Sequence, residues 1–390
     1  YCTEMDFNGG FNICINSLPP NIRVSTTQYT VDELVKDILV GNPCLVSNVT
    51  FSTGVTHDPE NGNGIAYFNK NNSVFTLEDG ILLSTGDAMN VVGPAINEST
   101  SGASWVGDQQ LFDYMTAQGL DVDEYNDATI LEFDFIPTKE NFSFDFIFGS
   151  NEYGNYQCDF SDAFAFFLTD VATNTTSNLA VVPNSGAPIS VTTIRKGIHS
   201  PPGWATEEPL CGDSNAEFFD KCYDLDYNGL EPMTAPVNLK GHTVPMTATA
   251  TVVPGNTYHI KMVIADRNDS SMDSSVFLLG GSFDIGSIDF GDGLTFENDK
   301  ALCFGDSYVL NTGLGNEFTF KWYKNDQLIP NEVSASLTVT ETGTYKVEAN
   351  FGDTECSIES SVLIEFYPNL NDVVKNPEKI IVCDDSENID

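Results

Sequence analysis

Acidic side chains in one short segment have the chemistry and the spacing to bind a divalent cation. The segment Asp266-Arg-Asn-Asp-Ser-Ser-Met-Asp273 carries carboxylates at Asp266, Asp269 and Asp273, together with the amide of Asn268. Calcium binds about six to eight oxygen atoms from carboxylates, amides and backbone carbonyls. The segment therefore suits calcium, and the alternative is that these residues only cap turns and strand ends.

A second segment matches the first half of an EF-hand loop. Asp224-Leu-Asp-Tyr-Asn-Gly229 would use Asp224, Asp226 and Asn228 as ligands. The twelfth position of such a loop is Ala235 here, where the motif needs a bidentate glutamate. We predict that these three residues bind calcium only if another segment donates acids, and a simple turn ended by Gly229 is the alternative.

Two aromatic segments must position a further acidic loop that contains Glu152 and Asp162. Phenylalanine occupies every second position from Phe142 to Phe148, and the alternation resumes from Phe164 to Leu168. Side chains in a strand point alternately to opposite faces, so each segment presents one aromatic face. The two strands would supply a sandwich core and hold the loop between them at its rim.

Short strands and turns account for most of the remaining sequence. The clearest helix runs from Thr30 to Gly41, where Thr30 and Glu33 form a capping box. A second, short helix is indicated over Asp108–Met115. Many short strands with one N-terminal helix favour an all-β fold, namely a jelly-roll-like β-sandwich.

Four motifs follow one another in the first part of the chain: Asp79-Gly-Ile-Leu-Leu-Ser-Thr-Gly86, Ala128-Thr-Ile-Leu-Glu-Phe-Asp-Phe135, Gly149-Ser-Asn-Glu-Tyr153 with Phe160-Ser-Asp-Ala-Phe-Ala-Phe-Phe-Leu168, and Ile264-Ala-Asp-Arg-Asn-Asp-Ser-Ser-Met-Asp-Ser-Ser-Val-Phe-Leu-Leu279. Together they resemble the choice-of-anchor L domain, a family of secreted and surface proteins of Bacteroidota. The family is named for the varied C-terminal anchors that follow the domain. The resemblance covers about residues 28–285.

The resemblance implies that the acidic loops converge on one rim of the sandwich. We therefore predict one calcium site built from some of Glu152, Asp162, Asp266, Asp269 and Asp273. The resemblance also implies export by the type IX secretion system. It further implies attachment to the outer membrane through a region that is not in this chain.

The C-terminal part is similar to a small bacterial immunoglobulin-like β-sandwich. Trp322 would pack in its core, and Tyr345 lies where such folds often have a tyrosine corner. The predicted domains are an N-terminal segment at 1–27, the choice-of-anchor L sandwich at 28–286, a linker at 287–299, the immunoglobulin-like domain at 300–367, and a linker with the start of a further module at 368–390.

Charge restricts the classes of partner. The chain has 57 acidic residues against 16 lysines and arginines, a formal net charge of -41. Nucleic acid is excluded as an expected partner because phosphate binding needs clustered basic residues. Attraction to an anionic membrane is unfavourable for the same reason. No apolar run reaches the roughly 20 residues that a membrane-spanning helix needs, so we expect no direct membrane insertion in this segment.

Nine cysteines and only four histidines favour disulfides in an oxidising compartment over a zinc site. We predict that Cys211–Cys222 closes a loop and that Cys303–Cys356 links strands of the second domain. Cys2, Cys14, Cys44 and Cys158 allow three pairings, of which Cys2–Cys14 with Cys44–Cys158 is favoured. Cys383 is left over, and a partner beyond residue 390 would make this chain a fragment.

Sequence motifs give little support for an enzyme. Common nucleophile, zinc-protease and nucleotide-binding motifs are missing. Glu132-Phe-Asp134 resembles the start of a jelly-roll glycosidase motif, but the second glutamate of that motif is replaced by Pro137. Glycoside hydrolysis needs two correctly spaced carboxyl groups. Glu132 and Asp134 are better interpreted as the outward face of a strand.

These observations predict a secreted or cell-surface, non-enzymatic adhesin-type binding protein, stabilised by calcium, that recognises a polysaccharide or a surface. A second hypothesis is a structural subunit of an extracellular filament, or a cargo of the gliding and type IX machinery, that binds like subunits. A third is a glycan-degrading enzyme or its accessory module.

Overall fold

The computed structural model describes residues 2–7, 11–16, 19–40, 43–54, 63–96, 105–120, 124–154, 156–199, 209–227, 229–268, 270–315, 318–351 and 357–369. The chain divides into two compact units. The first comprises Tyr1–Val252 and Asn256–Ile285, and the second comprises Val253–Gly255 and Gly286–Asp390.

The first unit consists mainly of antiparallel strands. In chain order these are β1 (Cys2–Phe7), β2 (Phe11–Asn16), β3 (Arg23–Ser25), β4 (Val46–Ser52), β5 (Ile65–Asn69), β6 (Asp79–Ser84), β7 (Tyr125–Phe135), β8 (Asn141–Ser150), β9 (Ala163–Asp170), β10 (Thr175–Asn178), β11 (Ile198–His199), β12 (Pro209–Cys211), β13 (Phe219–Cys222), β14 (Gly241–Thr243), β15 (Met246–Thr251), β16 (Tyr258–Arg267) and β17 (Ser274–Leu279).

Two of the sheets form a sandwich. The smaller sheet has the strand order β10-β9-β16-β7-β4, and the larger has the order β13-β14-β8-β17-β6-β5-β3, with β15 also paired to β8. Strands β1 and β2 form a hairpin, and β11 pairs with β12. The expected all-β fold, with antiparallel sheets, is confirmed.

Aromatic side chains fill the space between the two sheets, as the alternating phenylalanines predict. Phe144 of β8 contacts Phe166 of β9 with ring centroids 4.9 Å apart. Nearer the end of the same strands, Phe148 stacks on Phe164 at 5.1 Å. All four rings are fully buried, so removal of apolar surface from water stabilises this layer.

The outer face of each sheet is also covered. On the larger sheet, Phe68, Phe75 and Phe277 belong to a second buried apolar cluster. On the smaller sheet, the helix α2 (Gln109–Ala117) packs through Leu111 and Met115. Asp108 caps α2, because its Oδ1 accepts a hydrogen bond from the N–H of Leu111 at 2.8 Å.

The predicted N-terminal helix is present as one α-helical turn that continues in π-helical form. The helix α1 spans Val31–Glu33, and the π-helical part spans Leu34–Leu39. The capping box is confirmed: Thr30 N–H donates to Glu33 Oε2 at 2.8 Å, and Glu33 N–H donates to Thr30 Oγ1 at 3.3 Å. Short 3-10 turns lie at Pro43–Leu45, Ala88–Val91, Ala216–Phe218, Leu225–Tyr227 and Pro232–Thr234.

The described residues of the second unit form two antiparallel sheets. Its strands are β18 (Tyr308–Asn311), β19 (Phe318–Lys324), β20 (Gln327–Leu328), β21 (Ser336–Val339), β22 (Gly343–Phe351) and β23 (Ser357–Ile364), arranged as β18-β21 and β20-β19-β22-β23. Trp322 is fully buried, and its indole N–H donates to the carbonyl of Ser334 at 2.9 Å. The hydroxyl of Tyr345 donates to the carbonyl of Glu341, four residues upstream, at 2.7 Å.

Across the described part of the chain, no helix combines the length and the apolar character that crossing a membrane would require.

Candidate functional site

The predicted acidic loops meet at one edge of the sandwich in the first unit. In the larger sheet, the start of β17 pairs with the end of β8, where Ser274 lies opposite Ser150. On its other side, the start of β17 pairs with the end of β6. In the smaller sheet, the start of β9 pairs with the end of β16, which pairs with the start of β7. We call this place, where the six strand ends meet, the acidic edge.

Asp162 connects the two sheets at the acidic edge. Its Oδ1 accepts a hydrogen bond from the backbone N–H of Arg267 in the smaller sheet at 3.2 Å. Its Oδ2 accepts one from the hydroxyl of Ser274 in the larger sheet at 2.6 Å. Because the partners lie more than 100 residues away in sequence, this contact exists only in the folded unit.

Glu152 is fixed directly after β8. Its backbone N–H donates to Ser150 Oγ at 2.9 Å, and its Oε2 accepts a hydrogen bond from the N–H of Asp162 at 2.8 Å. The side chain is 2 % exposed. The hydrogen bond from Asp162 to the Glu152 side chain therefore joins the two ends of the loop between the aromatic strands.

Asp266 has the most unusual environment among the acidic residues at this edge. The residue is 0 % exposed, and within the described residues neither carboxylate oxygen accepts a hydrogen bond of normal geometry. Burial, and then the charges of Asp162, Asp273 and Asp127, hold the pKa of Asp266 well above its usual range. The nearby Thr85 hydroxyl acts in the opposite direction. A buried carboxylate in this position needs a proton or a cation for neutralisation.

Asp273 and Asp127 complete what we call the acidic cluster: Asp127, Glu152, Asp162, Asp266 and Asp273. Asp273 is 1 % exposed, and its carboxylate lies against Gly86, where a Cβ atom would be 1.9 Å from Oδ2. Asp127 has a φ of 53°, and its Oδ1 accepts a hydrogen bond from the N–H of Trp105 at 2.5 Å. A side chain at Gly86 would therefore displace the Asp273 carboxylate.

Comparison with protein families assigns this architecture. The model of the choice-of-anchor L domain matches residues 23–284. The chain belongs to the choice-of-anchor L domain family. A search of curated proteins gives no match. One similar solved structure is the adhesin domain of Epf from Streptococcus pyogenes, with 6% identity over 83% of this chain and 92% of that chain, and a TM-score of 0.18, a likeness too low to inform fold or function.

Each of the four motifs of the choice-of-anchor L domain has residues at or directly beside the acidic edge. The first contributes Thr85 and Gly86, and the second begins directly after Asp127. The third supplies Glu152 and Asp162, and the fourth supplies Asp266 and Asp273, so the predicted convergence of these residues is observed. Asp127 was missed as a candidate by sequence reasoning, because it lies in a polar stretch without periodicity.

The other predicted ligands are not joined to this cluster by any described contact. Asp269 and Asn228 lie outside the described residues. Asp224 accepts a hydrogen bond from the N–H of Asp226 at 3.1 Å within its own turn. Within the described ranges, no group of three or more acidic, histidine or cysteine side chains is placed so that it could hold a metal ion. Calcium at the acidic edge or in the Asp224 turn stays a prediction.

Two predicted disulfides are wrong, because Cys158 is bonded to Cys211. Cys44 precedes β4, whose Val46 pairs with Phe135 at the end of β7, whereas Cys158 lies near the start of β9 at the opposite end of that sheet. Cys44–Cys158 is therefore excluded. Cys222 enters the larger sheet opposite Gly241 and is a free thiol, which excludes Cys211–Cys222.

The remaining pairings stay predictions. Cys44 and Cys303 are each disulfide-bonded. For Cys303 the predicted partner, Cys356, is among the residues not described. Cys2 and Cys14 lie on the paired strands β1 and β2, opposite Asn16 and Glu4.

Glu132 and Asp134 lie on the outward face of β7, as predicted, and contact basic residues of β16. His259 Nδ1 is 2.7 Å from Asp134 Oδ1, and its Nε2 is 3.9 Å from Glu132 Oε1. Lys261 Nζ is 3.9 Å from Glu132 Oε1 and 2.5 Å from Asp108 Oδ2. The two carboxylates are thus engaged in cross-strand ion pairs.

This face predicts a pH dependence of stability. Glu132 and Asp134 raise the pKa of His259, so its contribution is fully present below about pH 6.5, the unfolded value, and is lost as pH rises through the folded pKa. The nearby His259 imidazole lowers the pKa of Glu132, so that contribution is lost as pH falls through the lowered value. His259→Gln should flatten the decrease in melting temperature between about pH 6 and pH 8.

The expected effect is modest, because the His259 side chain is 37% exposed. Thermal unfolding across that pH range measures it. Lys139→Gln is the control, since it removes a surface cation but no imidazole. An unchanged pH slope in His259→Gln would contradict the assignment.

Proposed function

We propose that this protein is a non-enzymatic, adhesin-type binding protein of the cell surface whose first unit is stabilised by calcium. Family membership supports the surface location, since choice-of-anchor L domains are named for the attachment regions that follow them. The buried acidic cluster carries the calcium part of the proposal. A cation there would connect strand ends from both sheets and hold the loops of that edge in a fixed shape.

Asp266 and Asp273 are the first ligands in this proposal. Asp162 retains acceptor capacity after its two hydrogen bonds, because a carboxylate has about four lone-pair sites. The Thr85 hydroxyl and backbone carbonyls would complete the oxygen set that calcium accepts. The side chains would turn toward a common centre when the ion binds, and Glu152 would hold Asp162 in place through its hydrogen bond.

A groove at the opposite end of the sandwich supports a polysaccharide ligand. This cavity of about 440 Å³ lies between β10 and β15. Its lining is rich in hydroxyl groups and includes one carboxylate: Asp170, Thr173, Thr175, Ser177, Thr249 and Thr251. Hydroxyls and carboxylates can exchange hydrogen bonds with sugar hydroxyls. Among its described lining residues there is no lysine or arginine, so we propose a neutral polysaccharide.

A polysaccharide array probed with the whole chain tests this function. Thr249→Trp should place a bulky ring in the groove and reduce sugar binding at least tenfold, about 1.4 kcal/mol. Thr247→Trp is the matched control, because Thr247 is also exposed on β15 but does not line the groove. Equal binding by both variants, or no sugar binding by the wild-type chain, would contradict the proposal.

A structural role is the second candidate, and the edge strand β10 is the observation that favours it. Thr175, Thr176 and Ser177 are exposed, and among the strands that the structure describes β10 pairs only with β9. An open strand edge can pair with another chain, including a like subunit. Sedimentation that shows polymers would favour a filament subunit. Release of sugars from a polysaccharide would instead favour a glycan-degrading enzyme or its accessory module.

We also propose that the second unit is an immunoglobulin-like module. The buried Trp322 and the bond from Tyr345 to a carbonyl four residues upstream support this, since both are features of immunoglobulin-like sandwiches. Export from a member of the Bacteroidota by the type IX system, with outer-membrane attachment through a region outside this chain, completes the proposal.

A further inference from the structure

The carboxylates of the acidic cluster are sealed from solvent. Glu152, Asp162, Asp266 and Asp273 are between 0 % and 2 % exposed. An ion could not enter from water while the acidic edge remains closed. This enclosure differs from an exposed loop site, which an ion enters and leaves without disturbing the fold.

The cluster exists only when the two sheets are packed together. The Asp162 carboxylate accepts hydrogen bonds from Arg267 and Ser274, which are 105 and 112 residues away in sequence. An unfolded chain does not hold such groups near one another. When a site is assembled by folding, the free energy of metal binding contributes to folding.

The closed edge is unfavourable while its carboxylates are ionised and no cation is present. Within the described residues no hydrogen bond of normal geometry offsets the burial of the Asp266 carboxylate, and Asp162, Asp273 and Asp127 add like charges nearby. The last aromatic pair of the core, Phe148 and Phe164, lies two residues from Ser150 and Asp162. Opening the edge would therefore expose the end of the aromatic layer.

We infer that a divalent cation acts as a folding switch: it is enclosed as the two sheets close, and the acidic edge stays open where calcium is scarce. This inference rests on the proposed calcium binding. Calcium sites of extracellular modules have dissociation constants of about 10⁻⁴–10⁻³ M, so a site of this class fills outside the cell and remains empty at much lower calcium. The first unit would therefore finish folding only after export.

Hydrogen–deuterium exchange of the whole chain, in chelator and in calcium, tests the switch. At about 100 times the dissociation constant, the open population should fall about a hundredfold. Backbone amides of Gly149–Gly154, Ser161–Ala165, Ile264–Asn268 and Asp273–Val276 should then exchange at least ten times more slowly. Amides of β19 and β22 in the second unit should be unchanged and serve as the internal control.

The variant Asp266→Asn tests the same switch from the protein side, because it removes the negative charge that requires a cation. Its acidic edge should be protected equally with and without calcium, and Asp273→Asn provides a second variant if the first does not fold. Calcium binding by calorimetry without any change in exchange would overturn the switch but leave the calcium site. Neither heat nor a change in exchange would overturn both.

Discussion

Asp266→Asn should abolish the rise in melting temperature that calcium produces in the wild-type protein. At calcium about 100 times above the dissociation constant, binding stabilises the wild type by about 2.7 kcal/mol. For a unit of this size that corresponds to roughly 5 °C. Asparagine keeps the shape of the side chain but supplies a single neutral oxygen ligand, so the calcium-dependent shift should fall to about 1 °C or less.

Differential scanning calorimetry of chelator-stripped protein, with and without added calcium, measures the shift. Asp326→Asn is the control, because it makes the same change at an exposed turn of the second unit. A different result would follow if Asp266 simply carries a proton. In that case asparagine imitates the neutral acid, and neither the variant nor the wild type would respond to calcium.

Phe144→Ala should destabilise the first unit by about 3–5 kcal/mol. The Phe144 ring is fully buried between the sheets. Its centroid lies 4.9 Å from that of Phe166 and 5.4 Å from that of Phe283, and it also contacts Phe142 and Phe146. Truncation removes these contacts and leaves a cavity that the surrounding rings cannot fill without leaving their rotamers.

Urea unfolding followed by circular dichroism gives the free energy. Phe51→Ala on the edge strand β4 is the matched control, since that ring is 42% exposed and its loss should cost less than about 1 kcal/mol. Similar losses for the two variants would show that the aromatic layer is not the stabilising core. The transition of the second unit should be unchanged in both.

Periodicity made the core predictable from the sequence. The alternation from Phe142 to Phe148 specified which face of β8 is buried, and the capping box at Thr30 specified where α1 begins. These are local signals, because strand period and helix caps are set by neighbouring residues. They fixed elements and buried faces but not which distant loops come into contact.

Long-range contacts in the site were predictable only in part. Family motifs indicated that Glu152, Asp162, Asp266 and Asp273 converge, and the structure brings them together. Asp127 also lies in this cluster, and its backbone has a left-handed conformation at the start of β7. A periodic sequence pattern does not predict such a conformation. The disulfide predictions were wrong for a related reason. Which cysteines can bond depends on which strand ends lie at the same end of the sheet, and a local sequence pattern does not specify this.

The edge strand β4 limits how this unit can assemble. Its pairing with β7 shifts register between Ser47 and Thr50, with Asn48 at a φ of 53°, which is a bulge in an otherwise regular ladder. Bulged edges are poor templates for another strand. Growth through the smaller sheet would then be possible only at β10. Two copies joined by that edge around a twofold axis would leave no second template in the described part of the smaller sheet, so a filament would need a further contact elsewhere on the subunit.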